Sequence, residues 1–99
     1  MRKIAIELDA AIKANKSFNK ANTRYDHPTG SVTFHGSVIA TGINWGDGSR
    51  LRCSFQGFAT ATTRDRINTI RAAYGLHLVG FVKGIPHVGK RAIGLHEWF

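Results

Sequence analysis

The sequence predicts an α+β fold in which two helices lie on one face of an antiparallel sheet. Apolar residues recur at helical spacing near the start of the chain and again over residues 63–74. Between these stretches, residues 23–56 alternate apolar and polar side chains in short runs separated by turn residues. Strands joined by short turns pair antiparallel, and helices can then cover one face of the sheet. The expected order is α-β-β-β(-β)-α-β, with a meander of three or four strands and a C-terminal strand.

The first helix is predicted over residues 4–16. Its apolar stripe consists of Ile4, Leu8, Ala11 and Ile12. Asp9 and Lys13 are four residues apart, so they can pair across one turn. The segment 17–22 is expected to end this helix.

The meander is predicted from residue 23 to residue 56. Its strands are expected over residues 23–26, 31–34, 37–43 and 50–56. Pro28 and Gly30 mark the turn between the first two strands. His35 and Gly36, flanked by apolar residues, are typical of a two-residue hairpin turn. One long strand with a bulge at Gly36 is the alternative, and we favour the hairpin.

The last strand of the meander alternates strictly. Leu51, Cys53 and Phe55 share one face, and the residues between them share the other. The apolar set predicts the core face, so Cys53 is expected to be a small core residue. A single cysteine cannot form an internal disulfide, and the fold must therefore depend on its core.

The second helix is predicted from about residue 63 to residue 74. Thr62 or Thr63 is expected to cap its start, and Gly75 is expected to close its end. Its buried stripe consists of Ile67, Ile70 and Tyr74. After it we expect a strand over residues 76–82, a basic loop over residues 83–91 and a last strand over residues 92–99.

Length and composition predict one domain over residues 1–99. The chain is 42% hydrophobic and 20% charged, which is typical of a globular protein. No stretch approaches the roughly 20 apolar residues that span a bilayer. Glu7 and Asp9 interrupt the start too early for a signal peptide, so a cytoplasmic location and no membrane partner are expected.

Positive charge is the strongest functional indication. Fourteen lysines and arginines face six acids, which gives a net charge of +8. Such an excess predicts attraction to polyanions, either nucleic acid or an acidic protein surface. The alternative is that the charge forms a solvated surface and only aids solubility.

Arginines form the main part of the candidate binding surface. Arg50 and Arg52 share the non-core face of their strand. Arg64 and Arg71 are seven residues apart, so they lie on one edge of the second helix, and Arg66 lies on its opposite flank. Arginine binds phosphates and carboxylates in bidentate fashion, which makes these side chains candidates for anion contact.

Three further residues complete the candidate set. Lys90 and Arg91 add charge in the late loop. Trp45 lies in a glycine-rich loop, where a large aromatic side chain either packs locally or stacks on a partner such as a base.

Catalysis and metal binding are not expected. The acids are scattered, and no phosphate-binding loop or nucleophile motif is present. The five histidines are not spaced as metal ligands, and no cysteine or acid cluster joins them. We therefore expect a binding protein without a cofactor or a metal.

Three segments of the chain carry a resemblance to a known group of proteins. They are Asn22-Thr23-Arg24, Val32 to Ala40 and Gly57 to Asn68. Over residues 22–75 the chain resembles small, poorly characterised accessory proteins of tailed bacteriophages. A double-stranded RNA-binding domain shares only the order of elements. The phage resemblance implies no catalytic residues, but it implies action on bacterial machinery.

The leading hypothesis is a host-defence inhibitor or modulator, anti-CRISPR-like, in the cytoplasm of the bacterial host. It would dock a basic face on a bacterial nucleoprotein complex or an acidic protein surface. The alternatives are a module that binds DNA or RNA directly and a structural or self-assembling phage component. The oligomeric state is left open by the sequence.

Overall fold

The computed structural model describes residues 3–43 and 48–99. Within these ranges the chain forms two helices and eight strands. In chain order they are α1 (Lys3–Lys13), β1 (Phe18–Lys20), β2 (Thr23–Asp26), β3 (Ser31–Phe34), β4 (Ser37–Thr41), β5 (Arg52–Cys53), α2 (Ala61–Ala73), β6 (Val79–Val82), β7 (Ile85–Val88) and β8 (Arg91–Ala92).

The strands form two antiparallel sheets. Strands β1 to β5 are neighbours in chain order in a five-stranded meander, and β6, β7 and β8 form a separate three-stranded sheet. The α+β class and the meander are confirmed. The last quarter differs from the expectation, because it forms its own three-stranded sheet, whereas two strands, over residues 76–82 and 92–99, were predicted.

Short turns connect the first four strands of the meander. His35 and Gly36 both adopt positive φ, 50° and 81°, between β3 and β4, which confirms the predicted hairpin. Thr33 pairs with Val38 but Val32 pairs with Ala40, so the extra residue lies in β4 and not at Gly36. The segment predicted only to end the first helix instead contains β1, and α1 ends at Lys13.

One row of side chains crosses the inner face of the meander. Tyr25 pairs with Val32, Val32 with Ala40, and Ala40 with Cys53, and all four are buried. The helices cover this row with their own apolar stripes. The buried members of these stripes are Ala5, Leu8 and Ile12 in α1 and Ile67 and Ile70 in α2. Cys53 is thus the core residue that the alternation predicted.

Strand β5 is shorter than predicted. Only Arg52 and Cys53 pair with β4, and Ser54, which was expected to point outward, is fully buried. Ser54 is accommodated because its N–H donates to Ile39 O at 2.9 Å and its Oγ accepts from Gln56 N at 3.1 Å. These bonds satisfy polar groups that burial would otherwise leave unpaired.

Helix α2 begins earlier than predicted. Its N-cap is Thr60, whose side chain accepts a hydrogen bond from Thr63 N, so the predicted caps Thr62 and Thr63 lie within the helix. Gly75 closes the helix as predicted, with φ of 68°. Gly75 N donates to Ala72 O and Leu76 N to Arg71 O, which is the Schellman pattern.

The predicted basic loop over residues 83–91 contains strand β7. Lys83 and Gly84 adopt positive φ, 52° and 79°, and turn β6 into β7. Pro86 lies in the central strand, where it accepts from Ile93 N at 2.8 Å but has no N–H to donate. Strand pairing with β8 begins one residue later, at His87, because proline lacks the N–H that would donate the second hydrogen bond of the pair.

Residues 3–43 and 48–99 contain no helix that is long and apolar enough to cross a membrane.

Candidate anion-binding face

The outer face of the five-stranded sheet carries two rows of side chains. We define this outer face by eight residues, four in each row. The first row contains Asn19, Arg24, Thr33 and Val38, which are cross-strand partners. The second contains Asp26 paired with Ser31 and Thr41 paired with Arg52. Because side chains alternate along a strand, both rows point away from the buried row that contains Tyr25 and Cys53.

Two exposed arginines lie on opposite strands of the outer face. Arg24 is on β2 and Arg52 is on β5, and both side chains are exposed. Three strand spacings separate β2 from β5, which is about 14 Å. Among the described residues, neither guanidinium has a carboxylate within ion-pair distance. Asp26, half-buried, is the sole acid of the outer face.

Hydroxyl groups occupy the area between the two arginines. Ser31, Thr33 and Thr41 are half-buried on β3 and β4, and Thr29 Oγ1 lies 2.8 Å from Ser31 Oγ. A hydroxyl can donate to an anionic oxygen while arginine makes a charge-assisted bond to it. The outer face therefore presents guanidinium and hydroxyl donors, two kinds of group that proteins use to bind phosphate oxygens.

The turn before β5 holds Arg50 and Arg52 close to the end of β4. Gly42 adopts φ of 79°, and a Cβ at this position would overlap the carbonyl group of Arg50. The glycine therefore lets the turn pack directly on the sheet. Arg52 Nη1 donates to Leu51 O at 2.8 Å and to Ser49 O at 3.3 Å, which fixes its guanidinium beside this turn.

Most described acids are neutralised by nearby cations. Each of four carboxylates pairs with a lysine or arginine, and these pairs lie away from the outer face. The pairs are Glu7–Lys20, Asp9–Lys13, Asp65–Arg66 and Glu97–Arg91. None of these four carboxylates therefore neutralises Arg24 or Arg52.

Arg66, predicted to lie on a flank of helix α2, lies inside the fold. It is 4% exposed, Nε donates to Thr23 Oγ1 at 3.0 Å and Nη1 donates to Asp65 Oδ2 at 2.8 Å. Its guanidinium also lies 5.6 Å from the centre of the Phe34 ring. These contacts tie α2 to β2 and β3, which corrects the expectation of an exposed binding residue.

Arg71 is also buried, at 8% exposure. Its Nε donates to His77 O at 2.6 Å, and its guanidinium lies 5.3 Å from the centre of the Phe99 ring. The expectation of an exposed helix edge is therefore corrected for Arg71 as well. Its partners hold the segment after α2 and the C-terminal segment in place.

The other predicted residues lie on separate parts of the surface. Arg64 is half-buried, with its guanidinium 4.8 Å from the centre of the Phe81 ring. Lys90 and Arg91 are exposed at the turn into β8, and Arg91 pairs with Glu97. Trp45 lies outside the described residues. Of the predicted residues that the structure describes, Arg52 lies in strand β5, and Arg50 lies in the turn just before this strand and not within it as predicted.

Arg24 is the residue that sequence reasoning missed. The run Thr23-Arg24-Tyr25 alternates, and both of its neighbours are buried. The alternation alone places Arg24 on the outer face. What the sequence did not supply is the register that puts Arg24 beside Thr33 and so on the same surface as Arg52.

The surroundings of the buried Cys53 side chain determine the chemistry of its thiol. Burial raises the pKa of the Cys53 thiol to about 11, although the nearby Arg71 guanidinium opposes this shift. The thiol is therefore protonated at neutral pH and is a poor nucleophile. Within residues 3–43 and 48–99, no three side chains of the His, Cys, Asp and Glu types are grouped as a metal site.

Comparison with known proteins identifies a family for the chain. A family described as Kyanoviridae Gp96 protein matches residues 1–98 of the chain. No curated protein and no solved structure matches the chain.

Proposed function

Because the chain belongs to the Kyanoviridae Gp96 protein family, a phage family, we propose that it is a phage accessory protein that binds the phosphate backbone of nucleic acid. The outer face of the five-stranded sheet is the binding surface. The family description names no activity, so the surface itself supplies the support for this function.

The arrangement of Arg24 and Arg52 carries the proposal. The strands that carry the two arginines are about 14 Å apart across the sheet, the arginines lie in different rows, and hydroxyls lie between them. A ligand with charges repeated along a chain can contact both arginines at once, whereas one small anion suits a single arginine. Arginine, serine and threonine are among the side chains that donate hydrogen bonds to phosphate oxygens, which supports a nucleic-acid backbone as the ligand.

The composition of the outer face favours nucleic acid over an acidic protein. Protein interfaces depend on buried aromatic and apolar anchors, with arginine among them. Val38, 37% exposed, is the only apolar member of the outer face, and it has no aromatic member. Binding through phosphates alone would be independent of base sequence and strongly dependent on salt.

Such binding would allow the protein to act on the bacterial host. A phage protein that holds nucleic acid can dock on a bacterial nucleoprotein complex and compete for its DNA or RNA. This is the route by which it would inhibit or modulate host-defence machinery. This proposed action on the host is supported by the phage family of the chain and by its net charge of +8.

Removing both outer-face arginines tests the proposal. The double variant Arg24→Gln/Arg52→Gln should bind a fluorescein-labelled 20-nucleotide single strand more weakly, as measured by anisotropy over a range of salt concentrations. The slope of log K against log salt is negative, and each lost phosphate contact on a single strand reduces its magnitude by about 0.7, so the slope of the double variant should be shallower by about 1.4.

The control removes the same charge elsewhere. Lys83→Gln/Lys90→Gln changes two exposed lysines in turns of the three-stranded sheet. It should lower affinity much less and leave the salt slope nearly unchanged. Equal losses in the two double variants would show attraction by net charge alone, and the outer face would then not be the site.

A further inference from the structure

A cavity of about 300 Å³ opens at one end of the fold, between the β3–β4 hairpin and the start of α2. Its floor is apolar, because Ile39 and Phe55 are 2% and 0% exposed. Phe34, 8% exposed, forms one wall. His35 and the threonines at the start of α2 lie at its rim.

Phe58 is the unusual residue of this cavity. It is 58% exposed, the highest value among the large apolar side chains of the described residues. Its backbone is held on both sides, because Phe58 N donates to Phe55 O at 2.9 Å and Phe58 O accepts from Thr60 N at 2.8 Å. The ring is thus kept at the mouth of the cavity by its backbone and not by burial.

The size and the walls of the cavity suit a single planar ring. A volume of about 300 Å³ lies at the lower end of the range for ligand sites. The exposed ring of Phe58 supplies an aromatic face for stacking, Phe34 and Phe55 supply an apolar wall and floor, and the hydroxyls and the His35 imidazole supply polar groups at the edge. Among the described residues no acidic side chain lines the cavity, so none of them repels an anionic ligand there.

The cavity lies at the end of the sheet that carries the first row of the outer face. Thr33 and Val38 belong to that row, and the next residues along the same strands are Phe34 and Ser37. The turn at His35 and Gly36 follows at once. A chain that leaves the outer face at Val38 therefore reaches the cavity by passing around this turn.

We propose that the cavity holds one unstacked base of a single-stranded nucleic acid whose backbone lies on the outer face. This inference rests on the proposed function and makes it more specific, because it selects single strands over duplexes. Aromatic side chains that stack on bases do so with little regard to base identity, so a wide range of sequences should bind. An apolar side chain of a protein is the competing occupant.

Three nucleic-acid probes test the inference by fluorescence anisotropy. They are a labelled 20-nucleotide single strand, its duplex, and a strand of the same length that lacks bases. Phe58→Ala should weaken binding of the normal single strand by about 5- to 150-fold, the usual effect of removing one stacking side chain. Its affinity for the duplex and for the base-free strand should equal that of the wild type.

Two further variants serve as controls. Phe58→Trp keeps an aromatic face and should retain most of the affinity for the single strand. Val82→Ala removes another exposed apolar side chain, 53% exposed on the three-stranded sheet, and should change no affinity.

The outcomes separate the base cavity from the outer face. The inference is overturned if Phe58→Ala changes no affinity or weakens all three probes equally. If the arginine double variant lowers the affinity for every probe while Phe58→Ala lowers none, the outer face is supported as the binding surface. The proposal that the cavity holds a base is then contradicted. If the wild-type protein binds none of the probes, the proposed function fails, and the inference fails with it.

Discussion

Cys53 lies where three parts of the fold meet. It is completely buried, pairs with Ala40 on one side and exchanges two backbone hydrogen bonds with Phe99 on the other. The guanidinium of Arg71 is close enough to affect its thiol. A charged thiolate at this position would be poorly solvated, which is why the pKa of Cys53 is raised to about 11.

The raised pKa of Cys53 predicts a loss of stability in alkaline solution. An unfolded thiol ionises near its ordinary pKa of 9.0, whereas the folded thiol stays protonated to about 11. Between these values the unfolded chain binds fewer protons than the folded protein, so the free energy of unfolding falls as pH rises. The contribution of this thiol is fully present below pH 9 and decreases by about 2–3 kcal/mol up to pH 11.

Urea unfolding followed by circular dichroism at pH 8, 9, 10 and 11 measures this loss. Cys53→Ala is the control, because it removes the titrating thiol, and its stability should decrease less over the same range. Some decrease should remain, since burial also raises the pKa values of Tyr25 and Tyr74. Parallel curves for the wild type and the variant would contradict the prediction.

The arginines of α2 show which residue properties can be predicted from sequence. Spacing correctly placed Ile67 and Ile70 in the buried stripe. Spacing also placed Arg66 and Arg71 beside that stripe, but it could not show that they are buried. Their burial depends on Thr23 Oγ1 and His77 O, two acceptors that only the tertiary structure brings within reach.

At the scale of the elements, alternation and turn residues predicted the meander well. The hairpin at His35 and Gly36 is present because both residues adopt the positive φ that a two-residue turn requires. Strand β7 was missed because Pro86 and the flanking glycines suggest a loop. The structure accommodates Pro86 one residue before the ladder with β8 begins, a register that the local sequence does not reveal.

Asn68 closes the open edge of strand β6. Its amide Nδ2 donates to Val79 O at 2.9 Å, and its Oδ1 accepts from Val79 N at 2.7 Å. The side chain thus takes the place of a neighbouring strand for one residue. Edge strands with unpaired backbone groups invite pairing with other chains, and this contact protects the start of β6.

Replacing Asn68 should therefore loosen this edge locally. Asn68→Ala leaves both backbone groups of Val79 without the side-chain partner and should lower the free energy of unfolding by about 1–3 kcal/mol. Amide exchange measured by NMR should show faster exchange at Val79 than in the wild type. The amide of Ile67, in the middle of α2, is an internal control and should lose protection only in proportion to the global loss of stability.

Asn68→Asp provides a matched comparison. Aspartate keeps an acceptor for Val79 N but cannot donate to Val79 O when it is ionised. The Val79 amide should therefore keep more protection in this variant than in Asn68→Ala. If Val79 exchanges at the wild-type rate in both variants, Asn68 does not hold the edge.

At the scale of the whole molecule, Phe99 joins the two sheets. Its backbone pairs with Cys53 of the five-stranded sheet at 2.7 and 2.8 Å. Its ring stacks on Phe55, with centres 6.2 Å apart, and Phe55 in turn lies 5.9 Å from the Phe81 ring of β6. The two sheets thus share one core, so we expect them to unfold together.

Phe99→Ala tests this shared core. It keeps the backbone pairing with Cys53 but removes a half-buried ring that Phe55 and Arg71 contact, so the free energy of unfolding should fall by about 2–4 kcal/mol. Circular dichroism and tryptophan fluorescence should still report one coincident transition. Leu95→Ala is the control within the same segment, and it should cost less than about 1 kcal/mol because Leu95 is 44% exposed. Two separate transitions in the wild type would mean that the three-stranded sheet is stable on its own, and the ring of Phe99 would then not couple the two sheets.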